Sequence, residues 1–525
     1  MSNLNDLLIE KPRRNIFPED TDSWYHILKN ECSLMFSGVK VSASVQASYF
    51  KYRHRYCQCH FVAGLKFIPL FFFFLLLENH AFSQVLTLKE AINSTLNNYG
   101  TIKAKGSYLK ASQATVKEAS TAYLPNLNLA AQQAYGTANG QFGPLIAIGG
   151  SAASSGPPFL TQNWNAAFGG LYLANISWEF FTFGRVKGNV KVAEAQVVQE
   201  SSDLDQEKFQ LEVKVSGAYL SLLAAQRLKL SEQKNLDRAS SLLLVVLTRT
   251  KNGLNPGVDS SQATAEVSNA KIALTNAINY ESEQASQLAQ LMGVLYQDFV
   301  LDTGYINHIP ASLNDSIVYD EARHPVLKFY QSRIDVSRQQ EKYFDRFKYP
   351  VFSLVGVLQS RGSGFESNYS QIYPDAFSHN YWTGVKPTNS NYLLGVGVVW
   401  NLTNPIRVRQ QVEAQEWTSK GLQNEYELVS QQIKTQLSLA DQKIKYAIAN
   451  YNEAPIQMKA ASDAYLQKSV LYRNGLTNIV DVTQALYSLN RAETDRDIAY
   501  NNVWQALLLK AAASGDFNLF DNEIK

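Results

Sequence analysis

Asn252-Gly253-Leu254-Asn255-Pro256-Gly257-Val258-Asp259-Ser260-Ser261-Gln262-Ala263 returns as Asn474-Gly475-Leu476-Thr477-Asn478-Ile479-Val480-Asp481-Val482-Thr483-Gln484-Ala485. The shared frame is Asn-Gly-Leu-x3-Val-Asp-x2-Gln-Ala, and the copies lie 222 residues apart. Upstream, Trp178-x6-Arg185-Val186-Lys187-x2-Val190 recurs as Trp400-x6-Arg407-Val408-Arg409-x2-Val412 at the same offset of 222. Two motifs in one order at one offset mark a duplicated structural unit. Two copies at so long a period are no solenoid, whose repeats run to about 20–50 residues. The chain is one large unit made twice and fused.

Each Asn-Gly reads as the end of a helix, with Gly253 and Gly475 in the left-handed position past it. Asp259 and Asp481 then read as N-caps of returning helices, with Gln262 and Gln484 three residues on in a capping arrangement. The helices that lead into these turns are long. From Gly184 to about Lys251 there is no proline, and Val215, Ala218, Leu222, Ala225 and Leu236, Ala239, Leu243, Val246 step at coiled-coil spacing. Roughly 65 residues at 1.5 Å each predict a helix on the order of 100 Å long, too long for the interior of a globular domain. The second copy, about Arg407 to Arg473, matches it, with a kink predicted at Pro455. Its returning helix steps Val482, Ala485, Leu489, Ala492 and closes at Gly515.

Ahead of each long helix the period changes to that of strands. Thr87-Leu88-Lys89-Glu90 is a capping box that opens a helix running to about Tyr123 and stopping at Pro125. Leu127, Leu129 and Ala131 then alternate with Asn126, Asn128 and Gln132, the pattern of a strand. A Gly/Ser/Ala-rich stretch from Gly136 to Gly170 suits neither helix nor strand. A second strand, Leu171 to about Phe181, sets Tyr172, Ala174, Ile176, Trp178 and Phe180 against Leu173, Asn175, Ser177 and Glu179. The second half repeats the layout: a helix from about Val326 to Pro350, a strand Val351–Gln359, a loop Ser360–Asn391 and a strand Leu393–Leu402. Each half is therefore helix, strand, loop, strand, long helix, tight turn, helix. Four strands cannot close a barrel, since outer-membrane barrels need at least about eight, so the pattern implies oligomerisation.

An export signal completes this picture. Phe67 to Leu77 is apolar but about half the length of a spanning helix, follows Lys66 and leads into Ala81-Phe82-Ser83 before Gln84. Residues 62–83 read as a signal peptide and residues 1–61 as an N-terminal extension or an over-long start. All three cysteines, Cys32, Cys57 and Cys59, precede the cleavage point, so the mature chain lacks disulfides and thiol chemistry. It keeps 39 basic and 39 acidic residues (48 less nine, 46 less seven), without a basic run. That balance excludes a nucleic-acid binder. The 12% of aromatic residues is high.

The set Leu88-x-Glu90-Ala91, Tyr123-Leu124-Pro125-x-Leu127, Trp178-x2-Phe181-x-Phe183-Gly184-Arg185 and the two Gly-x4-Val-Asp-x2-Gln-Ala turns resembles the TolC family of outer-membrane efflux proteins. The likeness spans about Leu88 to Gly515, with a first repeat at 84–300 and a second at 301–525. It implies a mainly α chain with a membrane β-barrel: a homotrimer whose twelve strands close in outer-membrane lipid above a long periplasmic α-helical tunnel. It also implies docking of a periplasmic adaptor and an inner-membrane pump of the RND or ABC class, in tripartite efflux or type I secretion. The repeated turns would form the tunnel tip. In the family, acidic residues at the second turn ring the entrance; Asp481 matches the first, Gln484 replaces the second, and Thr477 replaces a family arginine. Tyr472 and Arg473 stand where they could pair across helices at the tip, or lie solvated at a helix end. Trp178 and Trp400, with Gly184, Arg185 and Arg407, mark the barrel–helix junction, the tryptophans serving as interfacial belt or as junction packing.

An enzyme is not expected. The mature histidines, His308, His324 and His379, are scattered, and neither a zinc-protease motif nor a phosphate loop is present. No cofactor or metal is expected. The alternative reading is a periplasmic adaptor or structural coiled-coil protein, which would not need two strand pairs.

Overall fold

The computed structural model describes residues 85–140, 158–304, 308–314 and 319–523. The signal peptide, its cleavage point and the N-terminal extension lie outside the described residues. The capping box forms as the sequence predicts: the Thr87 amide donates to the Glu90 carboxylate (3.1 Å), and the Glu90 amide donates to Thr87 Oγ1 (3.3 Å). The helix it opens is shorter than predicted. α1 (Leu88–Asn98) ends where Tyr99 turns extended, and α2 (Gly100–Thr121) starts afresh. The break is one extended residue, Tyr99, with helix on either side, which a periodicity reading spans without registering.

β1 (Asn126–Thr137) and β2 (Ala166–Phe181) follow, both longer than predicted. Part of the Gly/Ala-rich stretch is therefore strand, held by its ladder partners rather than by side-chain propensity. α3 (Arg185–Lys251) and α4 (Gly257–Met292) form the first hairpin. The second copy runs α5 (Pro325–Asp345), β3 (Val351–Ser363), the short α6 (Tyr381–Val385), β4 (Asn389–Val399), α7 (Asn404–Arg473) and α8 (Ile479–Ser514). A last turn, α9 (Asn518–Asp521), packs Phe520 under Trp504. At 67 and 70 residues, α3 and α7 are each roughly 100 Å long. Pro455, where a kink is predicted, lies inside α7, which stays helical on both sides of it.

Each long helix serves two neighbourhoods. Near the sheet α3 lies between α2 and α5, and α5 bridges it to α7; towards the turns α3 lies beside α4 and α8, and α8 beside α7. The largest core sits between these levels, where Leu88, Tyr219, Leu220, Trp504, Leu507 and Phe520 are buried together. The Tyr219 hydroxyl donates to the Leu86 carbonyl (2.8 Å) and accepts from the Asp302 amide (3.1 Å), tying the chain start and the α4–α5 connection to α3.

The four strands form one antiparallel sheet in the order β1-β2-β3-β4, leaving β1 and β4 as edges. The register sorts its side chains into two faces. One is mainly apolar, with Leu127, Leu129, Ile176, Trp178, Leu354, Leu358, Tyr392, Leu394 and Val396, and has Gln133, Ser360 and Ser390 at its far end; the other is mixed, with Asn126, Asn128, Gln132, Asn175, Ser177, Gln359, Arg361 and Asn391 beside Leu171, Leu173, Val355, Val357 and Leu393. Outside the part that the β3–β4 connection covers, the first face is bare in a single chain, with Leu129 78% and Leu394 76% exposed. Among the described residues, no helix is long and apolar enough to cross a membrane.

Candidate functional site

The repeated turns place two helix ends side by side. Each long helix closes in a Schellman motif: Gly253 (φ +70°) and Leu254 donate to the Thr250 and Arg249 carbonyls, and Gly475 (φ +77°) and Leu476 donate to those of Tyr472 and Leu471. A side chain at either glycine would strain the backbone. The aspartates that follow are not N-caps. Pro256 and Asn478 hold that position, and Asp259 and Asp481 sit three residues further, in the first helical turn. The Asn478 side chain accepts from the Asp481 amide (2.9 Å), so asparagine takes the capping role assigned from sequence to aspartate. Each helix begins three residues earlier than the motif suggests, at Gly257 and Ile479, because the extended residues that precede the helices are Pro256 and Asn478. Gln484 is exposed and Gln262 half-buried, and neither caps its helix.

The aspartates are instead held from behind by equivalent residues of the two copies. Asn255 Nδ2 donates to Asp259 Oδ2 (2.7 Å), and Thr477 Oγ1 donates to Asp481 Oδ2 (2.6 Å). Asn255 also joins the two turns, donating from Nδ2 to the Tyr472 hydroxyl (3.0 Å), and within its own turn Oδ1 accepts from Arg249 Nε (2.8 Å). Arg249 reaches further, donating from Nη1 to the Arg473 carbonyl (2.6 Å) and lying 5.6 Å from the Tyr472 ring centre. Tyr472, predicted as one of the tip residues, is 2% exposed and packs with Leu242, Val246, Ile479 and Val482. Arg473 contributes its carbonyl to this junction. Burial, then the nearby Asp259 carboxylate, pushes the Tyr472 phenol above its ordinary range, against Arg249 and the Asn255 bond. Hydrogen bonds from Thr477 and then Lys468 hold the Asp481 carboxyl below its ordinary range; Lys468 Nζ lies 2.9 Å away. Sequence reasoning missed Arg249, Asn255 and Lys468. The repeat itself carried a signal for Asn255, which aligns with Thr477 at the shared offset. Outside this network, Leu254, Val258, Leu476 and Val480 are exposed, the same two apolar positions in each copy.

At the opposite end of α3 and α7, the duplicated tryptophans make a duplicated bond. Trp178 Nε1 donates to the Tyr123 carbonyl (2.9 Å), and Trp400 Nε1 donates to the Lys348 carbonyl (3.1 Å). Each acceptor stands two residues before a strand-opening proline, Pro125 or Pro350. Both tryptophans therefore fasten the helix-to-strand entry, while their rings remain partly exposed. Gly184 (φ +84°) turns the chain from β2 into α3, after Phe183, whose φ of +50° is also left-handed. Arg185 pairs with Glu179 and lies 5.3 Å from the Phe347 ring centre; Arg407 is exposed in the first turn of α7. The helical tip and this junction are thus separate, at opposite ends of the long helices.

The sequence pattern of the family described as outer membrane efflux protein matches residues 91–294. The fold extends the likeness beyond that segment. The outer-membrane channel OprN shares it at 15% identity and a TM-score of 0.62, over 82% of this chain and 89% of that one. The outer membrane protein VceC from Vibrio cholerae does so at 16% identity and a TM-score of 0.64, over 82% and 96%. CusC, at 12% identity and a TM-score of 0.67, is matched over 83% and 93%. Among curated proteins, none matches by sequence. The family and these structural neighbours are outer-membrane channel proteins, not enzymes.

Proposed function

We propose that three copies of this chain form a passive exit duct in the outer membrane of a Gram-negative bacterium. The observation that carries the reading is a sheet with two free edges and one bare apolar face, standing on helices roughly 100 Å long. Joining β4 of one copy to β1 of the next closes twelve strands, with the apolar face towards lipid and the Asn/Gln/Arg face towards water. A free sheet edge is unstable against pairing, and closure removes it. The helices have open flanks as well: Leu428, Tyr446, Ile456 and Leu466 on α7 and Ile272 on α4 are exposed and would pack between copies.

In this reading the repeats at about 84–300 and 301–525 each supply a strand pair and a helical hairpin to the duct. The turns gather at the periplasmic tip. Asp259 and Asp481 place carboxylates at the entrance, and the Arg249–Asn255–Tyr472 network holds the two hairpins of one chain together in its closed form. The exposed Leu254, Val258, Leu476 and Val480 form the apolar contact for a periplasmic adaptor, which links the duct to an RND or ABC pump in the inner membrane. The driving energy is the pump's. The duct contributes a path and a gate.

Native mass spectrometry of the detergent-extracted protein tests the assembly. Three chains, each beginning near Gln84, are expected. A soluble periplasmic monomer would remove the barrel and leave the adaptor or coiled-coil alternative.

A further inference from the structure

The β3–β4 connection crosses onto the apolar face of the sheet, where a lid over the pore would not go. Three contacts fix its side. Tyr172, on that face, donates from its hydroxyl to the Val385 carbonyl (3.0 Å), and Tyr381 donates to Gln133 Oε1 (2.7 Å) on the same face. The ring of Tyr381 meets Phe168 edge-on at 5.2 Å, and Phe168 in turn packs on Tyr135 at 4.7 Å. Glycines make this approach possible. A Cβ at Gly362 would stand 2.4 Å from the Lys386 carbonyl oxygen, and one at Gly384 would stand 2.3 Å from that of Phe168.

We infer that the connection containing α6 is a strap on the lipid-facing wall of the barrel, with Trp382 as its anchor in the outer leaflet of the membrane. The inference rests on the barrel reading, which sets the apolar face towards lipid. Dimensions place the strap inside the bilayer. The ten steps along β2 from Phe168 to Trp178, at roughly 3.3 Å each and tilted by ~40°, span about 25 Å, the height of a barrel's apolar band. The six steps from Tyr172 to Trp178, below the strap, span only about 15 Å. The remaining height is the part that α6 covers, so the outer surface of the strap replaces the strands as the wall that lipid meets.

The strap is built for that setting. Trp382 is 73% exposed and packs edge-on against Tyr381, pairing two residues of the type enriched at membrane interfaces. Polar backbone in lipid must be satisfied internally. Asn380 Oδ1 accepts from the Trp382 and Thr383 amides, the Lys386 amide donates to the Trp382 carbonyl, and the Thr388 amide donates to that of Arg361.

Spin labels on the full chain in phospholipid vesicles test this. With Cys32, Cys57 and Cys59 changed to serine, one label is placed in turn by Trp382→Cys, Leu394→Cys or Asn391→Cys. Relaxation by oxygen, which concentrates in lipid, is compared with relaxation by a water-soluble nickel chelate. Oxygen preference at 382 and 394, with nickel preference at 391, is the expected result. Oxygen preference at 394 with nickel preference at 382 overturns the strap and leaves the barrel intact. Nickel preference at 394 overturns both. A label-free check uses phospholipids with brominated acyl chains: Trp382→Phe should remove part of the lipid-quenched tryptophan fluorescence. Equal quenching in the two proteins would count against the inference.

Discussion

Asn255→Ala should loosen the tip more than any other single truncation there. The substitution removes two donated bonds, to Asp259 and Tyr472, and one accepted from Arg249. Two of the three involve a charged partner, and the Tyr472 side of the site is buried. A neutral bond contributes about 1 kcal/mol and a charged one about 1.5–3, which the half-exposed setting of Asn255 and Asp259 reduces. The total is roughly 2–4 kcal/mol per chain. If the network exists only in the closed tip, the closed form falls about 30- to 1000-fold relative to the open one. Single-channel recording in planar bilayers should then show a higher mean conductance than the parent channel. Hydrogen exchange offers an independent readout, because the Leu254 amide closes its helix on Arg249 and should exchange faster in the variant. Faster exchange with unchanged conductance would refute the gating step. Unchanged exchange would refute the energetic argument itself.

The remaining predictions concern the second turn and the central core. Asp481 has a depressed carboxyl pKa, so its contribution is present above the ordinary carboxyl range and is lost only as pH falls through the lower folded value. Conductance should therefore respond to acid through this group only below about pH 4, and Thr477→Val should move that onset upward; an onset unchanged by Thr477→Val would contradict the assigned cause. Asp259→Ala combined with Asp481→Ala should raise single-channel conductance, and no change would leave both as helix-end residues alone. Gly515→Ala should lower the unfolding temperature, since Gly515 has φ +76° and an added Cβ would lie 2.5 Å from His324 Cδ2. Gly100→Ala, with open space around it, serves as the control, and equal shifts in the two variants would count against the clash.

The duplication, the strand pairs, the long helices and the Asn-Gly turns were all legible in the chain, because each rests on local chemistry. A positive φ calls for glycine, a helix start for its capping box, and an amphipathic strand for alternation, and all three can be read within a few residues. The break at Tyr99 and the true ends of the strands were not legible. They depend on partners far along the chain: the ladder with β2 carries β1 to Thr137, whatever the propensity of Ala134 and Gly136.

The tip divides in the same way. Sequence marked Asp259, Asp481 and Tyr472 through the repeat, but gave the aspartates a capping role that belongs to Asn478 in one copy and is left without a side chain at Pro256 in the other. The two turns share a frame yet differ where they meet, since Arg249 and Asn255 face Tyr472 across the hairpins. What the sequence determined by itself is that one unit was made twice, with helices too long for a globule and too few strands for a barrel. What tertiary structure decided is which side chains of the two copies meet, and on which face of the sheet the β3–β4 strap lies. Those depend on distances between residues more than 200 positions apart, which no local pattern encodes.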